Sequence, residues 1–131
     1  MDRLAAPLAL LGRLLIAPLF LWDVVFLLAS PRTSIGYIAK GGLPLPEIAF
    51  AATVALELAG GLAILAGFLT RWAALGLALF CLATAALFHT NWADLDTKIH
   101  FLKNLAMAGG LLQLAAWGGG AWSLDVRLRR R

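Results

Sequence analysis

Residues 100–104, His100-Phe101-Leu102-Lys103-Asn104, open the last long apolar run of the chain, Ile99 to about Gly118. On a helix, positions 100, 103, 104, 107 and 111 share one side. His100, Lys103 and Asn104 would then form a polar face, continued by Met107 and Leu111. Ionisable groups within an apolar segment are costly in lipid and normally face the interior of a bundle. Three other apolar runs each offer a counterpart, Asp23, Glu57 and His89. The expectation is an all-α, integral membrane four-helix bundle around this cluster, with any function located there.

Composition agrees. The chain has 131 residues, 62% hydrophobic and only 14% charged, with a mean hydropathy of +0.87. A soluble domain of this size needs more charge to cover its surface. Each of the four runs can cross a hydrocarbon core of about 30 Å with roughly 20 residues. They are placed at about 7–29, 47–69, 72–90 and 99–118, in a single domain covering 1–131. The net charge of +4 does not indicate nucleic acid, because the arginines lie at helix ends and in the tail. Cys81 is the sole cysteine, which excludes an intrachain disulfide, a CxxC pair and a Cys-based zinc site. The first run contains Arg13 and Asp23 and lacks a small-residue cleavage site, so it reads as a spanning helix rather than a signal peptide.

Ser30-Pro31 ends helix 1, since proline disfavours helix in the preceding residue, and Pro18 is expected to kink it. Arg13 and Asp23 are about 15 Å apart along the axis and cannot pair. Residues 30–46 form the one long connection, read as a short interfacial helix around Ser34–Lys40 or as an irregular loop. In helix 2, Thr53, Glu57, Gly60 and Gly61 share a face, so a neighbour can approach closely over the glycines. Thr70-Arg71 reads as a tight turn into helix 3, which carries His89 at its far end. Gly109-Gly110 reads as a second packing site, and Gln113 as the source of an interhelical hydrogen bond.

With four spans, Arg3, Arg71, Arg127, Arg129, Arg130 and Arg131 share one side, against Arg32, Lys40 and Lys98 opposite. The positive-inside rule then places both termini in the cytoplasm. Trp72, Trp117 and Trp122 would mark the inner interface and Trp92 the outer one. Asp23, His89, His100, Lys103 and Asn104 would fall in the outer half, with Glu57 near the midplane.

Glu57 stands out, because a charge at a helix centre costs about 2.5–3.5 kcal/mol on insertion scales. It serves either as a proton-exchanging or ligand-holding group, or as a buried tie to Arg13 or Lys103. Asp23 and Lys103 lie at similar depth, and a salt bridge between helices 1 and 4 is favoured over catalysis. His89 and His100 fit hydrogen bonding to a quinone carbonyl, or to the neighbouring acids, better than haem or zinc ligation, so no metal site is assigned.

The chain resembles the DoxX family of small bacterial membrane proteins. The resemblance is carried by Leu11-Gly12-Arg13-Leu14-Leu15, Gly42-Leu43-Pro44-Leu45-Pro46, Leu56-Glu57-Leu58-Ala59-Gly60-Gly61 and Gly67-Phe68-Leu69-Thr70-Arg71. It continues in Phe88-His89, His100 through Leu105, and Trp122-Ser123-Leu124-Asp125. It implies a four-helix inner-membrane protein linked to redox work, some members being similar to a quinone-reducing membrane subunit of a thiosulfate oxidoreductase and others joining oxidative-stress complexes. Family members usually carry a lysine late in helix 1. Here that segment reads Trp22-Asp23-Val24-Val25-Phe26-Leu27, with an aspartate and no lysine.

The expected function is a membrane subunit of a redox system that binds a small lipophilic ligand in the outer-half cluster. Glu57 and Lys103 are the candidate catalytic residues, and Asp23, Glu57, His89, His100, Lys103 and Asn104 the candidate ligand-binding ones. A quinone is the expected ligand, ahead of haem. Partners beside the lipid bilayer would be a redox protein supplying electrons and a further copy in a homo-oligomer. The alternatives are a structural or assembly subunit without chemistry, and a small-molecule or ion carrier using Glu57.

Overall fold

The computed structural model describes residues 2–130, with side chains from Leu4 onward. Of the arginines counted for orientation, Arg131 and the side chain of Arg3 lie outside the described residues. Six helices follow in order: α1 (Asp2–Ala29), α2 (Pro31–Lys40), α3 (Pro46–Ala66), α4 (Thr70–Phe88), α5 (Leu95–Trp117) and α6 (Leu124–Arg129). Among the described residues there is no strand. Three helices are long and apolar enough to cross a membrane: Leu4–Ala29, Pro46–Ala66 and Thr70–Phe88, with hydropathies of 2.0, 2.1 and 1.7. α5 has the length, at 23 residues, but His100, Lys103, Asn104 and Gln113 dilute its apolar character.

α1 packs on α3, α3 on α4, and α4 on α5, the last pair making the most extensive interface. The core joins Ala17 and Phe20 of α1, Ile64 of α3, Leu77, Ala78 and Cys81 of α4, and Ala108 and Leu111 of α5. On α1 the buried positions are Arg13, Ala17, Phe20 and Val24, a single stripe at helical spacing. Much of the remaining surface is apolar, with Trp22 74% and Leu15 69% exposed. Such a surface suits lipid rather than water.

The Gly60-Gly61 pair does what its spacing predicts. A Cβ on Gly60 would meet the Leu77 side chain of α4 at 2.9 Å, and one on Gly61 would meet Leu21 of α1 at 2.9 Å. The pair thus admits two neighbours, one on each side of α3. Gly109 and Gly110 do not form a second site of this kind, since a Cβ on Gly109 would meet nothing within 4 Å and one on Gly110 only Ile16 at 3.9 Å.

Several boundaries differ from the sequence reading, α1 already being helical from Asp2, and local chemistry accounts for those that shape the site. α3 ends at Ala66 because Gly67 takes a left-handed conformation (φ 70°), while the amides of Gly67 and Phe68 bond back to Ile64 and Ala63, the Schellman arrangement. The turn is therefore 67–69, and Thr70-Arg71 is the first turn of α4. α5 begins at Leu95, four residues early, because the Asp94 carboxylate accepts from the Thr97 amide at 2.8 Å and hydroxyl at 2.6 Å, a side-chain N-cap. In the long connection the helical alternative is the one formed: α2 starts with Pro31 at its first position, where a missing N–H costs nothing, and buries Ser34 and Ile38.

Candidate functional site

The expected single cluster is divided between two places. The first is a pair of carboxyls between α1 and α3. Glu57 is 2% exposed, held there by the close approach that Gly60 and Gly61 permit one turn later. Its Oε2 has no hydrogen-bond partner. The Asp23 carboxyl of α1 lies beside it, and the buried Cys81 thiol of α4 is nearby. Two ionised carboxylates have only acceptors to offer one another, so a bond between them requires that they share a proton. Among the described residues no cation approaches this pair, neither Arg13 nor Lys103. Arg13 is turned to the carbonyls of Ile64 and Leu65, roughly 10–12 Å further along α3 from the rise per residue.

The second place is the far end of α4 and α5. His89 and His100 stack with ring centroids 5.3 Å apart and planes 20° from parallel. Burial, then the neighbouring charge of His100, lowers the His89 pKa from its ordinary 6.5. Aromatic pairs flank the histidines. Tyr37 of α2 stacks on Phe88 at 5.2 Å, and Trp92 meets Phe101 at 5.0 Å. Asn104 is buried, and its amide donates to the His100 carbonyl at 3.0 Å, so it serves its own helix.

Lys103 is exposed, and among the described residues it forms no ion pair with Asp23. The reason lies in how α5 is rotated and where it packs. Its buried stripe is Asn104, Ala108 and Leu111, which leaves 100 and 103 on the rim. α5 lies principally against α4, while α1 lies against α3, so Asp23 and Lys103 belong to separate interfaces. Gln113 likewise bonds within its own helix, accepting from the Trp117 indole at 3.2 Å.

A third constellation, at the opposite end, escaped the sequence reading. Arg13 is 1% exposed and donates to the carbonyls of Ile64 (3.4 Å), Leu65 (3.1 Å) and Trp122 (2.6 Å). Asp125 accepts from the amides of Leu69 (2.7 Å) and Thr70 (3.0 Å) and from the Thr70 hydroxyl (2.7 Å). Its own amide donates to the Gly67 carbonyl at 2.9 Å. A cation thus meets the last carbonyls of α3 and an anion the first amides of α4, each at the helix end whose dipole favours it. Burial raises the Asp125 pKa, but the bonds from Thr70 and Leu69 and the charge of Arg129 outweigh it, holding it below the usual 3.8. The sequence signal was present, an arginine inside the first apolar run and an aspartate after Gly118-Gly119-Gly120, but nothing local links them.

The DoxX family model matches residues 8–90, from α1 through α4. The chain belongs to the DoxX family. Over its whole length it is 39% identical to the inner membrane protein YqjF of Escherichia coli strain K12, spanning 99% of that protein. A second E. coli protein, the inner membrane protein YphA, is 36% identical over 99 residues, 72% of this chain and 71% of that one. No solved structure matches significantly. This DoxX chain is accordingly an inner-membrane protein in contact with the lipid bilayer. The family model stops before α5, whereas the similarity to YqjF continues through it. Among the described residues no three His, Cys, Asp or Glu side chains come together as a metal site.

Proposed function

We propose that this DoxX protein is a membrane subunit of a redox system, binding a small lipophilic ligand of quinone type at the Glu57–Asp23 carboxyls. One observation carries the reading: Glu57 is buried, leaves a carboxylate oxygen unpartnered, and faces a second acid rather than a base. A carboxyl retained only for packing would have its oxygens satisfied, since an unpaired buried polar group costs about 1–3 kcal/mol. The pair can give its shared proton to a ligand carbonyl and be reprotonated from the aqueous side, and a second such cycle completes the two protons that a quinone takes up with its two electrons. Electrons would come from a partner redox protein. His89, His100 and Lys103, at the far end of α4 and α5, form a second polar group through which protons or a polar substituent would pass. Partnership with further copies of the chain stays an expectation of the sequence.

The topology belongs to the same proposal. α5 would be a fourth span, completing a four-helix bundle with both termini cytoplasmic. At the end held by Arg13 and Asp125, here called the clasp, Arg71, Arg127, Arg129 and Arg130 outnumber Arg32, Lys40 and Lys98 opposite, as the positive-inside rule requires. A reporter fused after Leu128 should be active only as a cytoplasmic reporter.

A packing or assembly subunit without chemistry is the second reading, favoured by the wholly structural use of Arg13. Quinone binding and reduction by membranes holding the protein with its native partners separates the two. Glu57→Gln preserves shape but cannot cycle a proton at neutral pH, so turnover should collapse while the protein still accumulates. Parental turnover in that variant would leave the packing reading standing.

A further inference from the structure

At the clasp end the structure holds a site that neither the carboxyl pair nor the histidines use. A pocket of about 230 Å³ opens between the start of α4, the end of α5 and α6, with Arg71, Trp72, Trp117 and Arg129 on its walls. It has room for several waters or for a group the size of a phosphate ester. An apolar groove adjoins it through Arg71 and Trp72 and runs on to Leu75 of α4 and Ala115 of α5. Leu75 lies one turn of α4 deeper than Arg71, towards the hydrocarbon core. Trp72 and Trp117 are 74% and 81% exposed, at the start of one long helix and the end of another, where indoles mark the headgroup level.

The charges leave an anion wanting. Arg71 sits in the first turn of α4, the end at which a cation is disfavoured by the helix dipole, so helix stability does not account for it. Its side chain lies across the α4–α5 gap, with Nε 3.4 Å from where a Cβ on Gly118 would stand. Arg129 is exposed on the same pocket. The one carboxylate on the wall, Asp125, has both oxygens engaged by Leu69 and Thr70 and offsets only part of the Arg129 charge, with no direct ion pair between them.

We propose that this pocket and groove bind an anionic phospholipid, its phosphate between Arg71 and Arg129 and one acyl chain along Leu75 and Ala115. The two halves fit one molecule because pocket and groove share Arg71 and Trp72 as walls, as headgroup and chain share one glycerol. Trp72 and Trp117 flank the glycerol level. The bound lipid covers the α4–α5 seam just below the clasp and reinforces it.

Thermal unfolding of the purified full chain in detergent tests this, with phosphatidylglycerol, phosphatidylcholine or inorganic phosphate added. Phosphatidylglycerol should raise the midpoint in a saturable way, phosphatidylcholine far less, and inorganic phosphate not at all. Arg71→Gln and Arg129→Gln should each weaken the apparent affinity about five-fold, the worth of one basic residue at a lipid surface. Arg71→Lys should retain most of it, and Ala115→Phe, which fills the groove, should abolish the advantage of long chains over dihexanoyl-phosphatidylglycerol. An equal shift with phosphatidylcholine, or an undiminished one in the double glutamine variant, overturns the proposal. So does a full shift with inorganic phosphate alone, which would mean an anion site without a lipid.

Discussion

Arg13 and Trp122, 109 residues apart in sequence, are joined by a 2.6 Å hydrogen bond from the guanidinium to the main-chain carbonyl. The same guanidinium holds the last carbonyls of α3, so one buried side chain ties the first helix, the α3–α4 turn and the C-terminal segment. In lipid, helices gain little from hydrophobic association, and polar contacts of this kind contribute much of their specificity.

Arg13→Met should therefore destabilise the protein by roughly 1.5–3 kcal/mol or more, the range for losing charge-assisted hydrogen bonds and leaving their buried carbonyls unpaired. Trp122→Ala keeps the accepting carbonyl, and its half-exposed side chain contributes less, so its effect on this bond should be slight. Thermal unfolding in detergent compares them. Similar losses in the two variants would mean that the indole, rather than the main chain, is what Arg13 secures.

Asp125 makes the clasp sensitive to acid. Its folded pKa is lowered from 3.8, so its contribution is complete above that value and disappears as pH falls through the folded one. Asp125→Ala should cost about 1–2 kcal/mol at neutral pH, as for a lost N-cap, and should remove this acid dependence. The measurement is the unfolding midpoint against pH for parent and variant. Parallel curves would show that the carboxylate is not the titrating group.

The apolar runs disclosed the long helices because burial in lipid demands continuous hydrophobicity, and the Gly60-Gly61 approach followed from a shared face. The division of the polar cluster was not legible, because it depends on the rotation of α5. A rotation of one residue, 100°, decides whether Lys103 or Asn104 faces inward, and because apolar and polar residues are spread around α5 that choice is left to packing with α4. The clasp was hidden for a different reason. Its acceptors are main-chain carbonyls and its donors main-chain amides, which carry no sequence signature, and the helix cap of α4 comes from a residue 55 positions later.

The histidine stack should respond to mild acid. His89 has its pKa lowered by burial and by His100, so protonation favours the unfolded state. Stability from this group is full above 6.5 and declines as pH falls through the lower folded value. Between about pH 7 and 5, His89→Phe should flatten the dependence of the unfolding midpoint on pH, since the ring stacks but no longer titrates. An unchanged slope would assign the effect to another group.

A double-mutant cycle identifies the residue to which Asp23 is coupled. The sequence favoured Lys103, on α5, whereas the structure sets Asp23 beside Glu57 of α3. Residues in contact show interaction energies of about 0.5–3 kcal/mol in double-mutant cycles, while separated ones add to within about 0.3–0.5 kcal/mol. Asp23→Asn, Glu57→Gln and their combination should therefore be non-additive in unfolding free energy. The sign is also informative. Each single amide replaces one member of a proton-sharing pair, while the double amide supplies donors to both sides, so the second change should cost less than the first. Asp23→Asn with Lys103→Met should be additive, and Lys103→Met alone should cost little because the side chain is exposed. Coupling between Asp23 and Lys103 with additivity between Asp23 and Glu57 would reverse the assignment. The carboxyl pair would then lose its standing as the proton-exchanging site.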